Sequence, residues 1–382
     1  MINNIEIKGK DRKDLRVAGY LFSYLVILFW GMAIVKWQVP PYEVYVWGKR
    51  VLGLPRYLGP DAELSRRFAF VDPLVEAKNQ IDAPIQNMQQ VHERVRKLEL
   101  DVSRFYNAFE KLHVLNTSFL KPNVFSLDFE LGRQYTTYCY FEKSLSGSSH
   151  TAILLIPGSG YNQSSAILPG GLRNYHDGLY QVARNHGDVF VYIKPNEDIR
   201  AIHNGEHKLS YDFITNTLIS HGGSYSAYYV VETMAITKFL EKKYERVIVA
   251  GVSQGASAAL LNGIQSWPDS VISIAAGYYP SDNYAYHSSP FNIMIPGLSI
   301  TVKPATILNS IRIHSTRWLF TLGKLDVGGA RVAYEEDQLS RYFNKVEQVT
   351  IEKHSNSHDV PGPLIDDYLS KLPMWRTKGN LR

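Results

Sequence analysis

Hydrophobic positions along the chain follow three different patterns. From Val17 to Val35 the run VAGYLFSYLVILFWGMAIV carries no charge; between Met88 and Leu112 apolar residues recur three and four apart; from about residue 124 short apolar runs alternate with polar loops. Each pattern predicts a different element. As a helix, the first run would be about 28 Å long at ~1.5 Å per residue, close to the hydrocarbon thickness of a bilayer. A buried core helix would keep a polar face, and a signal peptide would have a shorter apolar region followed by small residues at a cleavage site, which GMAIVKWQVPPYE does not clearly supply. Lys8, Lys10, Arg12, Lys13 and Arg16 crowd the N-terminal flank, whereas Lys36 stands alone on the other side until Lys49 and Arg50. Positive charge stays on the cytoplasmic side. The expectation is a cytoplasmic tail over 1–14, a single-pass membrane anchor in the lipid bilayer over 15–37, and an extracytoplasmic body, with the periplasmic side of a bacterial inner membrane as the default setting.

Residues 38–118 predict a juxtamembrane linker and a helix. The linker is rich in proline, glycine and aromatic residues up to residue 60. In the helix, Met88, Val91, Val95, Leu98, Val102, Phe105, Phe109 and Leu112 make a seam of period 3.5. Phenylalanines on that seam, with Leu100 and Tyr106 off it, favour an amphipathic helix packed on its own catalytic domain. A short coiled coil that joins two copies as a homodimer through 88–112 is the alternative.

The third pattern predicts a sheet. VFSLDFEL and YTTYCYFEK alternate in polarity and are separated by GRQ, as in an antiparallel hairpin. TAILLIPG, DVFVYIKP, RVIVAGVS, VISIAAGYY, TRWLFTLG and EQVTIEK follow as nearly continuous apolar runs, the pattern of parallel strands buried on both faces. The fold class is therefore α/β, with a mostly parallel eight-stranded sheet flanked by helices over 119–382. A lid-like insertion is expected at 278–316.

Composition narrows the function. At 45% hydrophobic and 20% charged residues the chain is that of an ordered globular protein. The net charge of +5 is modest and its basic residues are scattered beyond the N-terminal group, so no stripe suited to nucleic acid is present. Cys139 is the single cysteine, which excludes an internal disulfide and any multi-cysteine metal site.

The chemistry-bearing motifs sit at strand ends: GVSQG at 251–255, IPGSG at 156–160, GKLD at 323–326 and HSNSHDVPG at 354–362. With two hairpin strands feeding six parallel ones, they make residues 120–372 resemble the α/β-hydrolase superfamily of serine esterases and lipases. A lone G-x-S-x-G is weak; its position between an apolar strand and the helix start ASAALLNGIQ is what strengthens it. The resemblance implies a nucleophile elbow with Ser253 between Gly251 and Gly255, where glycines leave room for the tight turn. It implies Asp326 as the acid, with Asp282 as fallback, and His358 as the base in preference to His354. Ser253, Asp326 and His358 then follow in the chain order of that superfamily. The Gln254 N–H is the expected first oxyanion donor, and Ser159 or Gly160 fits the second, although Pro157-Gly158 stands where many members have His-Gly.

Tyr161 and Tyr278 are candidate substrate contacts, and the tyrosines of GGSYSAYY at 222–229 either stack on sugar rings or are ordinary core tyrosines. The loop KPNEDIRAIHNGEHKLSYDF leaves the same sheet edge and is rich in charge. His203 and His207 in it are four apart, but the Asn-Gly between them argues for a turn, so they are taken as rim residues and no metal or cofactor is expected. The resulting expectation is a membrane-anchored serine hydrolase that cleaves an ester, either a small molecule or an acyl group on a glycan or lipid, through an acyl-enzyme. A peptidase or an acyltransferase with the same triad, or a non-catalytic scaffold on this fold, stands as the alternative.

Overall fold

The computed structural model describes residues 20, 22–30, 108–160, 163–168, 175–200, 215, 219, 224–275, 308, 311, 313–324, 339–355 and 358–372, without 122, 132–133, 148, 177, 198–199 and 344. The chain divides into two compact units, 1–58 and 59–382. In the first, residues 20 and 22–30 are helical and side chains such as Phe22, Ile27 and Phe29 are exposed. Among the described residues no helix is long and apolar enough to cross a membrane. The rest of the proposed anchor, 15–37, lies outside the described residues, so the anchor is carried by the sequence pattern alone.

The second unit is built on one sheet. Its strands are β1 (His113–Lys121), β2 (Val124–Glu130), β3 (Gln134–Glu142), β4 (Thr151–Ile156), β5 (Asp188–Tyr192), β6 (Arg246–Val252), β7 (Ser270–Ile274), β8 (Arg317–Gly323) and β9 (Val349–His354), in the order β1-β2-β3-β5-β4-β6-β7-β8-β9. The first three strands and β5 pair antiparallel in succession, and every pairing from β5 through β4 to β9 is parallel. With helices on both faces, this matches the α/β-hydrolase arrangement.

Among the described residues the sheet has nine strands, which corrects the expected eight. The additional strand, β1, lies at the edge, and its residues from Leu115 to Leu120 are exposed. Register shifts near Asn116 and Lys121 also interrupt its alternation. An edge strand with little to bury and a broken period of two leaves almost no hydrophobic signature.

Central strands bury both faces, which explains their continuous apolar runs. Along β4, Leu154 and Ile156 join one core while Ile153 and Leu155 join the other; along β6, Val247 and Val249 alternate in the same way with Ile248 and Ala250. The first core is covered by α4 (Tyr225–Lys243) and α5 (Gln254–Ser266), the second by α2 (Gln163–Ile167), α3 (Leu179–His186) and α6 (Gly362–Lys371). Of the expected seam helix only α1 (Ala108–Lys111) is described, and it packs on α4: Lys238 Nζ stands 4.8 Å from the Phe109 ring centre and donates to the Phe109 carbonyl. Residues 88–107 lie outside the described residues.

Candidate active site

Chain connections leave β4 and β6 in opposite directions along the sheet, because β5 lies on one side of β4 and β6 on the other. In open parallel sheets such a switch point opens a crevice beyond the strands' C-terminal ends. Ile156 and Gly251 are register partners there, so the loop from Pro157 and the turn at Ser253 start side by side.

The turn has the geometry of a nucleophile elbow. Ser253 adopts φ 58° and ψ −118°, a left-handed backbone that costs a non-glycine residue about 1–3 kcal/mol. Its N–H donates to Ile274 O at 2.8 Å, which ties the turn to the end of β7. Ser253 precedes α5, yet its side chain makes no cap hydrogen bond. Ser224, which precedes α4, shows the ordinary alternative: φ −149°, ψ 134°, and a hydroxyl that accepts from Ala227 N at 3.3 Å. Both serines start helices, but only Ser253 is strained, and its hydroxyl is left half-exposed with no hydrogen-bond partner among the described residues.

The two glycines are steric requirements. A Cβ on Gly251 would overlap the Gly255 carbonyl, and one on Gly255 would overlap the carbonyls of Ile156 and Pro157. The elbow therefore packs backbone to backbone on the start of the loop after β4. Gln254, the first residue of α5, is buried, and its N–H lies at the positive end of a 13-residue helix.

Side chains hold the four carbonyls from Pro157 to Gly160. Tyr229 OH donates to Pro157 O; Lys194 Nζ donates to Gly158 O at 2.9 Å and to Gly160 O at 2.5 Å; Tyr175 OH donates to Ser159 O at 2.8 Å; Asn196 Nδ2 also reaches Gly160 O at 3.2 Å. The Gly158 N–H donates to His176 Nε2 at 2.8 Å, which fixes that imidazole as an acceptor on Nε2. Burial first, and then the charges at Lys194 and His358, push the His176 pKa down to about 3. It is a fixed neutral acceptor at physiological pH. The N–H groups of Ser159 and Gly160 have no partner among the described residues.

His358 reaches the same cluster through Tyr175, whose ring centre lies 5.4 Å away. Tyr175 also fills the space where a Gly158 side chain would stand. His354, the other histidine considered, ends β9 opposite Gly323, and its carbonyl accepts from Lys324 N at 2.9 Å. β8 and β9 thus end side by side at Gly323 and His354. Asp326 itself lies outside the described residues, as do Asp282, Tyr161, Tyr278, His203, His207 and most of the lid-like insertion at 278–316.

Burial decides between the two readings of the tyrosines at 222–229. Tyr225, Tyr228 and Tyr229 are buried on α4, so they are core residues and not stacking surfaces for a sugar; Tyr229 ties Pro157, and Tyr225 OH donates to Asn196 Oδ1 at 2.8 Å. The charged loop after β5 begins inside the protein: Lys194, Asn196, Glu197 and Arg200 are each no more than 2% exposed. Arg200 pairs with Glu232 of α4 at 3.1 Å and lies over the Tyr138 ring at 4.7 Å. Sequence reasoning missed Lys194 and His176. The available signal was a lysine placed directly after the apolar strand DVFVYI, where a solvent-facing loop would ordinarily start later.

No protein-family model and no curated protein matches the chain. Among solved structures it is similar to acetyl xylan esterase 1 from Thermoanaerobacterium sp. (14% identity, TM-score 0.38, covering 73% of this chain and 98% of the other). It is also similar to Est1E from Butyrivibrio proteoclasticus (10%, 0.38, 61% and 91%) and to the Pyrococcus furiosus esterase Pf2001 (15%, 0.37, 68% and 89%). Identities and scores this low assign neither a family nor a substrate.

Proposed function

We propose that the chain is a serine hydrolase that cleaves a carboxylic ester, with Ser253 as nucleophile, His358 as general base and Asp326 as the carboxylate that orients it. The backbone of Ser253 carries this reading: a strained serine at a strand-to-helix turn, with its hydroxyl withheld from capping the helix, beside a loop whose carbonyls from Pro157 to Gly160 are tied back. His358 takes the Ser253 hydroxyl proton as Oγ attacks the ester carbonyl. The tetrahedral oxyanion is held by N–H groups of Gln254 and of Ser159 or Gly160. Collapse expels the alcohol, which takes the proton from the imidazolium, and leaves an acyl-serine; water then repeats the sequence and releases the acid.

The uncharged run at 17–35 extends the proposal to a membrane-anchored enzyme acting outside the cytoplasm, on an acyl group of a surface or exported glycan. Protease protection of the body in sealed spheroplasts would contradict that location.

Turnover of p-nitrophenyl acetate and butyrate by the full-length chain tests the chemistry. Ser253→Ala and His358→Ala should each lower kcat at least about a thousandfold. Turnover that survives Ser253→Ala overturns the assignment.

A further inference from the structure

We propose that Lys194 is a positioning residue for the reaction proposed above, and the inference rests on that reading: its buried ammonium fixes the peptide planes of residues 158–160 so that the Ser159 N–H is held ready as an oxyanion donor. Lys194 stands two residues after the end of β5, and its side chain is 0% exposed. Its ammonium donates to two carbonyls of one short loop, Gly158 O at 2.9 Å and Gly160 O at 2.5 Å, and lies 3.8 Å from the Glu197 carboxylate. It is thus closer to the loop than to its counter-charge.

Peptide geometry turns this contact into orientation. In a trans peptide the C=O of one residue and the N–H of the next point in opposite directions. Holding Gly158 O on the ammonium directs the Ser159 N–H away from it, just as Tyr175 on Ser159 O directs the Gly160 N–H away from the phenol. A cation on the carbonyl also polarises the same peptide unit and strengthens its N–H as a donor. The anchor behind is rigid: Glu197 Oε1 accepts from Ser164 N at 3.1 Å, the Lys194 N–H donates to Ser164 Oγ at 3.2 Å, and Asn196 shares Gly160 O while Tyr225 holds its amide. A lysine kept only as one half of a buried ion pair would have no reason to share its protons with two carbonyls of the loop that faces Ser253.

Three forms of the full-length chain separate the outcomes: wild type, Lys194→Met, and Lys194→Met/Glu197→Gln, in which the carboxylate left without its cation is neutralised. The single variant should lower kcat for p-nitrophenyl acetate about ten- to a hundredfold with KM within about twofold, and slow fluorophosphonate labelling of Ser253 by the same factor. The double variant should recover thermal stability and not kcat. Amide exchange across 157–161 should rise in both. A double variant that regains wild-type kcat together with stability, or a loss confined to KM, overturns the positioning role. Unchanged exchange overturns the loop contact itself. Raised exchange in the variants, with a wild type that neither hydrolyses nor labels, removes the hydrolase reading and the positioning role with it, while the contact to the loop stands.

Discussion

Ser224 and Ser253 hold the same place relative to a helix and do opposite things with it. The first has extended backbone and caps α4; the second accepts strain and leaves its hydroxyl out of the helix. His176 makes a comparable commitment, since its Nε2 is engaged by the Gly158 N–H in a buried site where a proton would be costly. The folded protein keeps this histidine neutral down to about pH 3, whereas an exposed imidazole takes up a proton near 6.5. The folded pKa is depressed, so the stability this residue contributes is complete above pH 6.5 and is lost as pH falls from there toward 3, at about 1.4 kcal/mol per unit. Denaturant unfolding at pH 7 and pH 5 should therefore show wild type losing about 2 kcal/mol more than His176→Asn. Equal losses would contradict the assignment. Ser253 was legible in the sequence as a strained strand-to-helix turn, because a glycine on either side of a serine at a strand end has a local meaning. His176 was not legible, because its role depends on Gly158, Lys194 and His358, which only the fold brings to it.

At the scale of elements, two backbone segments meet without side chains between them. Gly255 in the first turn of α5 lies against the carbonyls of Ile156 and Pro157 at the end of β4, and Gly251 lies against Gly255 itself. The spacing between the turn at Ser253 and the loop after β4 is set by that contact. Gly255→Ala should cost about 3 kcal/mol or more, because a rigid carbonyl cannot move aside as a flexible side chain can. Urea unfolding checks the cost, and a variant of wild-type stability would show that the two segments can separate freely. The central strands were legible because both faces are buried and the runs are apolar throughout. β1 was not, since its exposed edge position and register shifts remove the alternation that marks a strand. In the loop after β5 the sequence showed only charge: that Lys194, Glu197 and Arg200 are buried depends on α4, which supplies Glu232, and on the loop at 157–160, which supplies carbonyls.

Across the whole sheet, the order of strands brings four C-terminal strand ends to one edge, those of β4, β6, β8 and β9. Chain order alone suggested this, because the motifs fall at successive strand ends and such ends lie on one side of a parallel sheet. What chain order could not supply is the second layer behind the site, where Tyr229 of α4, Tyr175 and Lys194 hold the loop from three directions. The central claim is that these parts make Ser253 an activated nucleophile. Treating the folded full-length chain with a fluorophosphonate and mapping the adduct by peptide mass spectrometry tests it most directly. The account predicts one adduct, on Ser253, that disappears in His358→Ala; an unlabelled wild type, or an adduct on Ser253 that forms as fast without His358, would contradict it.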